Sequence, residues 1–580
     1  MGKNLSLIWE LDSIFSGGSH SKELKKAFSS IENYLSDLKK CISHSIEEAI
    51  TLFQKTSLLL REVEAFIHCL NAQNTNDIQA HILQDQIIRY KAAFSTLGVM
   101  LDEHLRTLDD GVFHKLLELP SLKPISFPLI ERRKLAKEKL PSSYEALIND
   151  LAIDGYHGWN QLYETLMGEM TFSFEGKNLS FGQIENKVSD PNRKIRVQAL
   201  ALIDKNFSEK QNLCAQALNH IGGFRLQLYE KRGIKDLLQE PLEMNRMEEI
   251  TLKTMWEVIN KNKAPLLEYL KCKADLLKIK KCSWCDLSAP LGHSYKPISY
   301  ESASSLILES FQTFGLKMAK FAEEILTNHS IDAEDRPLKR AGGFCIDFPK
   351  SKKSRIFLTY GQTMNNVFTL AHEIGHAFHN VVIHPLPEMA QHIKMNVAET
   401  ASTLAEMIVA KTATSKATST QENLLLLDDQ ASRSVSFLLN IQARFLFEQA
   451  FYEERKKGYI PSDRLSELML FAQKEAFGDS LEGWHPLFWA TKLHFYFTDI
   501  PFYNFPYTFG YLFSSGIYSA GKNDLDIENK YIALLQDTGQ MNVEDLALKH
   551  LDVDLKKPDF WQNGLNLVTD EIQQFLDLAK

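Results

Sequence analysis

An apolar helix that carries two histidines and a glutamate constrains this chain more than any other stretch of it. Residues 370–380 read LAHEIGHAFHN. Phe368, Leu370, Ala371, Ile374, Ala377 and Phe378 make the segment apolar almost all round, as in a helix buried inside a large protein. At roughly 100° and about 1.5 Å per residue, positions four apart share one helix face and lie one turn apart. His372 and His376 therefore aim two imidazoles at a common point, and Glu373 lies near that point without being forced onto it. Burying three such groups without partners is costly, and a metal ion satisfies them. The arrangement is HExxH, in which the histidines bind zinc and the glutamate acts as base toward a water.

The rest of the chain has to bury that helix. At 580 residues it exceeds single-core size, so several layers or subdomains are expected. A hydrophobic content of 44% with 24% charged residues is that of a globular protein. The net charge of −9 argues against a nucleic-acid binder, which carries a basic excess. Local basic runs, RRKLAKEK (132–139), KCKADLLKIKK (271–281) and KSKKSR (350–355), read as solvated faces. Seven scattered cysteines (41, 69, 214, 272, 282, 285 and 345) suit reduced thiols in an intracellular setting. Cys282 and Cys285 form a lone CxxC without a thioredoxin-like setting, which reads as incidental spacing. The start, MGKNLSLIWELDSIF, has no apolar signal core, though Gly2 and Ser6 fit a loose myristoylation pattern. No stretch approaches 18 uninterrupted apolar residues, so no membrane span is expected and the cytoplasm is the default.

Residues 20–115 show helical periodicity with few Gly or Pro, as in SKELKKAFSSIENYLSDLKKCI and the run from Glu48 to Leu70, which predicts antiparallel helices. Three prolines break the pattern in LPSLKPISFP (119–128). A helical stretch from Ser142 through GWNQLYETLM leads to a β signal, MTFSFEGKNLSF (170–181), turning at Glu175-Gly176. In SDPNRKIRVQAL (189–200), Asp190 is predicted to cap a helix with Pro191 at its first position. From there the pattern is helical except for AGGFCIDFPKSKKSRIFLTYG (341–361), a predicted hairpin immediately before the histidine helix. These breaks suggest an N-terminal helical region over 1–118, a helical and β connecting region over 119–188, and a catalytic domain over 189–580.

A catalytic zinc needs a third protein ligand and an open position for water. The candidate, Glu399, lies 23 residues after His376 in MNVAETASTLAEMIVA (395–410), amid Val397, Ala398, Ala401, Leu404 and Met407. Glu406 is two turns along on roughly the same face. Two acids on one stripe of an apolar helix suggest one on the metal and one holding a ligating histidine; the alternative is that both face water.

HEIGHAFH followed at this distance by NVAETASTLAE is similar to the oligoendopeptidase F branch of the thimet-oligopeptidase-like zinc metallopeptidases. The resemblance extends through WELDSIF, SDPNRKIRVQAL, YLKCKADLLKIKKCSWCDLSAPL (269–291), GGFC and PFYNFPYTFGYL (501–512), and so covers nearly the whole chain. It implies a mostly α, large two-lobed helical metallopeptidase with a deep cleft and a small β-hairpin or sheet beside the active-site helix. It implies a cytoplasmic enzyme that cuts short peptides within the chain with one zinc ion, and no nucleic-acid or membrane partner. By the same resemblance His372, His376 and Glu399 are the zinc ligands and Glu373 the general base. A histidine and tyrosines that hydrogen-bond the developing oxyanion match His494 and Tyr503, with Tyr507 and Tyr511 nearby. HFYFTDIPFY (494–503) carries two extra residues before PFY, which leaves open which tyrosine serves. A zinc carboxypeptidase or dipeptidyl carboxypeptidase would share the ligands, and a non-catalytic helical scaffold would need no metal.

Overall fold

The computed structural model describes residues 5–292, 297–522 and 524–580; Gly2, and with it the myristoylation pattern, lies outside them. Among the described residues 24 α-helices stand against seven strands of two to five residues, so the fold is mostly α, as expected. The chain forms two compact units, each assembled from three separated segments: 1–142, 295–412 and 523–552 in the first, and 143–294, 413–522 and 553–580 in the second. No helix among the described residues is long and apolar enough to cross a membrane. All seven cysteines are unpaired.

The first unit begins with the helices Lys22–Cys41, Ile46–Gln73 and Ile78–Thr107. Each starts where a side-chain oxygen takes an otherwise unpartnered backbone N–H: Ser21 accepts from Leu24, Ser45 from Glu48 and Asp77 from Ala80. Leu24, Phe28, Ile31, Leu35 and Leu38 form the buried stripe of the first helix, and the same core reaches Phe348 and Phe357 of a three-stranded sheet. In that sheet Lys353–Phe357 lies between Ile331–Asp332, which it meets in parallel, and Phe344–Phe348, which it meets antiparallel as the predicted hairpin. Phe344–Phe348 is thus an edge strand of its sheet, and both hairpin strands pack on the histidine helix, Met364–Ile383.

The second unit is organised around a helix of 40 residues, Arg193–Arg232, which ends at Gly233 in the left-handed conformation that glycine adopts without steric cost. Its cap is Asn192, whose side chain accepts from the Lys194 N–H, and not the predicted Asp190. Asp190 instead accepts the N–H of Asn192 and so supports the cap from two residues outside. The predicted β signal is a hairpin of Phe172–Phe174 and Lys177–Leu179, with Glu175 and Gly176 both at positive φ, as the tight turn of a two-residue hairpin requires.

Each of the three basic runs departs from a solvated face at one residue. Arg133 is buried and donates to the carbonyls of Leu105 and Leu108 at the end of a neighbouring helix. Lys273, 1% exposed, is paired with Asp428 at 3.1 Å and also donates to Ser432. Arg355 is buried and donates to the Glu10 carbonyl. A run of like charges shows where water is near, and one member of each run turns inward because a backbone carbonyl or a carboxylate there needs a donor.

Candidate metal centre

The histidine helix starts at Thr363, which exchanges hydrogen bonds with Asn366 in a capping box. One turn apart on it, the rings of His372 and His376 meet edge to face, with centroids 4.7 Å and Nε2 atoms 3.1 Å apart. Glu399, on the helix Met395–Ser415, brings Oε2 to 3.6 Å from His372 Nε2 and 3.8 Å from His376 Nε2. His372 Nδ1 lies 2.5 Å from Glu406 Oε1. An ionised carboxylate only accepts, so that nitrogen carries a hydrogen, and Nε2 is the ring atom left to serve as a metal ligand. Burial, with His372 and His379 close by, holds His376 well below the usual imidazole pKa and keeps it neutral. Two imidazole nitrogens and one carboxylate oxygen, all within 4.8 Å of one another, form a three-donor set. Bond lengths of about 2.0–2.1 Å at tetrahedral angles would space such atoms by about 3.4 Å. The residues fit a divalent metal ion.

Gly375, between the two histidines, lets the helices come this close. A Cβ on it would stand 2.6 Å from the Ala401 carbonyl oxygen, 2.8 Å from the Ser402 Cα and 2.9 Å from the Ala405 Cβ. With hydrogen there instead, Met395–Ser415 lies directly on the histidine helix and Glu399 and Glu406 reach the two rings from one side. Ser402 Oγ, 3.1 Å from Glu399 Oε2, donates to the carboxylate.

Glu373 is 7% exposed. Burial pushes its carboxyl up to about 7, His372 pulls it down, Glu399 pushes it up, and the Cys345 backbone N–H, which donates to it, pulls it down. An opening of about 360 Å³ is lined by His372, Glu373, His376 and Glu399, by Gly343, and by Phe344, Cys345 and Asp347 of the edge strand. Asp347 is held at one oxygen by His384 Nε2 (2.7 Å) and at the other by Arg61 (3.1 Å). Gly375, Cys345 and Asp347 went unread in the sequence. Only the small residue inside HExxH and the GGFC preceding it were signals for them.

His494, Tyr503, Tyr507 and Tyr511 belong to the second unit. The ring of His494 lies 4.7 Å from that of Tyr503, and the Tyr503 and Tyr507 hydroxyls are 3.2 Å apart. Tyr511 is set differently. It is 6% exposed, its ring stacks on Phe437 and its hydroxyl meets Ser434 Oγ at 2.8 Å, a core position with its polar atom satisfied. Phe502, at φ 51°, turns the chain just before Tyr503, and its N–H donates to the buried carboxyl of Glu448. No periodicity announces such a turn, and Glu448 was not anticipated.

The profile of peptidase family M3 matches residues 309–567, and that of oligopeptidase F matches residues 105–172. The chain is similar to oligopeptidase PepF of Bacillus subtilis (strain 168), with 23% identity covering 98% of this chain and 87% of that protein. It is likewise similar to the chromosomal oligoendopeptidase F of Lactococcus lactis subsp. cremoris, at 24% identity over 99% of this chain and 98% of that one. Among solved structures, oligoendopeptidase-F from Enterococcus faecium superposes with a TM-score of 0.70 at 17% identity, covering 96% of this chain and 99% of that chain. PZ peptidase A with inhibitor 2 does so with a TM-score of 0.72 at 16% identity, covering 96% and 98%. At such identities these structures share the fold.

Proposed function

We propose, from the premise that this chain belongs to peptidase family M3 and is a metallo-endopeptidase of the oligoendopeptidase F kind, that it hydrolyses internal bonds of short oligopeptides with one zinc ion. The observation that carries the reading is the convergence of His372, His376 and Glu399 beside the buried carboxyl of Glu373.

His372, His376 and Glu399 hold the ion, and Glu406 fixes the His372 ring so that Nε2 faces it. When bound, zinc supplies a Lewis acid for the scissile carbonyl and makes a water acidic near neutral pH. Glu373 takes a proton from the attacking water and later delivers it to the leaving amine. Burial raises the Glu373 carboxyl, and a bound dication would draw it lower, toward the ionised form that takes a proton. The resemblance offers the phenols of Tyr503 and Tyr507 as donors to the developing oxyanion. Substrate lies extended along the edge strand Phe344–Phe348, where backbone hydrogen bonds give affinity with little demand on side chains. Seven unpaired cysteines support action in a reducing compartment, the cytoplasm.

The test is mass spectrometry of products from a mixed peptide library, with elemental analysis of the same protein. Internal cleavage by protein holding about one zinc per chain is expected. Release of C-terminal residues or dipeptides alone would make it a carboxypeptidase of related chemistry. Absence of both turnover and metal would leave a helical scaffold.

A further inference from the structure

His494 Nδ1 lies 2.7 Å from Asn504 Oδ1. An asparagine amide can be turned either way, so its oxygen must be identified from its other partners. Arg444 settles it. Its Nη1 donates to the same Asn504 oxygen at 2.9 Å, and its Nε is tied to Asn440 Oδ1 at 2.8 Å. A guanidinium has donors only, so a turned amide would set NH₂ against N–H. Asn504 is 1% exposed, and its Nδ2 is buried without an acceptor. The amide leaves its own nitrogen unsatisfied to keep the oxygen toward Arg444 and His494. An oxygen only accepts here, so His494 Nδ1 carries a hydrogen.

Burial and the Lys492 and Arg444 cations hold the His494 ring down to about 4, against the bond to Asn504, so it has one ring hydrogen at neutral pH. That hydrogen is on Nδ1. Nε2 is a bare lone pair with no hydrogen-bond partner among the described residues.

We infer that Arg444 and Asn504 are positioning residues that lock His494 in the Nδ1–H form, so that Nε2 is the one acceptor the ring offers to a ligand N–H. The resemblance gives His494 the same donor role as the tyrosines, and a bare Nε2 cannot fill it. On the peptidase reading His494 then serves as an acceptor, and the donors of its segment are Tyr503 and Tyr507. This role rests on the peptidase reading; the tautomer does not.

The test is magic-angle-spinning ¹⁵N NMR of the full chain labelled at histidine ring nitrogens, at neutral pH and after chelator treatment. His494→Gln identifies the signal. The expected result is a protonated Nδ1 and an unprotonated Nε2, unchanged by the chelator. Asn504→Asp, whose carboxylate still accepts from both Arg444 and Nδ1, keeps the hydrogen on Nδ1. Asn504→Leu abolishes it and lowers kcat/KM about tenfold, the loss expected for one substrate hydrogen bond. A hydrogen on Nε2 in the unaltered protein overturns the inference, as does an Asn504→Leu protein whose tautomer is unchanged. Should the chain prove not to be a peptidase, kinetics would fail while the ring nitrogens still report the tautomer.

Discussion

Gly375 and Ala401 touch where the histidine helix crosses the helix bearing Glu399: a Cβ on Gly375 would stand 2.6 Å from the Ala401 carbonyl oxygen. This is an approach that only hydrogen permits, and the reach of Glu399 and Glu406 to His372 and His376 depends on it.

Gly375→Ala should therefore cost about 1–3 kcal/mol of stability through overpacking, although alanine is the better helix former. It should also weaken metal binding, because the carboxylates of Glu399 and Glu406 are pushed away from the rings. Thermal melting with and without zinc checks it; an alanine variant as stable and as metal-loaded as the parent would contradict the packing argument.

Base and ligand separate by substitution. Glu373→Gln keeps the shape but cannot take a proton, so turnover should fall by ~10²–10⁴-fold with metal retained. Glu399→Ala should lose metal outright, and Glu406→Ala should bind it ~10–100-fold more weakly. Isothermal titration with zinc beside turnover measurements distinguishes the three, and Glu373→Gln losing metal as badly as Glu399→Ala would reverse the assignment.

The tyrosines divide by what their hydroxyls touch. Tyr503→Phe or Tyr507→Phe should lower turnover by ~10²–10³-fold with zinc content unchanged. Tyr511→Phe deletes only the bond to Ser434 and should cost about 0.5–1.5 kcal/mol of stability, with turnover kept. Michaelis parameters of all three variants on one fluorogenic peptide decide it. If none loses more than about threefold, the cluster is packing and oxyanion stabilisation lies elsewhere.

His379 predicts an acid limb of stability. It is 1% exposed, with Nε2 against Thr538 Oγ1 and the Leu535 carbonyl and Nδ1 without a partner. Burial lowers its pKa from 6.5 to about 4, against the bond to Leu535. Below 6.5 the unfolded chain takes up a proton that the folded chain refuses, so this stability is complete above that pH and is lost as pH falls toward 4. The loss between pH 7 and pH 5 should be about 2 kcal/mol. His379→Gln, denatured in urea with chelator present, should lose that part of the pH dependence; an unchanged pH dependence would show that His379 protonates in the folded protein.

A short peptide and a folded protein should fare differently as substrates. Backbone pairing along the Phe344–Phe348 edge needs an extended segment, which a native domain does not present. Gel and mass analysis should show peptides cut and a stably folded protein spared until unfolded; rapid digestion of the native form would refute edge-strand binding.

Much of the site was legible because helix pitch is local. The step of four residues from His372 to His376, and of seven from Glu399 to Glu406, decides which side chains share a face before any packing is known. The helices over 20–115, the 344–357 hairpin and the Glu175-Gly176 turn follow equally from periodicity and turn chemistry within a few residues. Contacts between distant segments carry no such signature. That three separated segments build each unit, that Glu406 finds His372, that Cys345 offers its N–H to Glu373, and that Tyr511 turns inward to Ser434 all depend on which surfaces pack. Arg133, Lys273 and Arg355 looked solvated for the same reason: composition records a charge, while only tertiary contact supplies the carbonyl or carboxylate that lets it be buried.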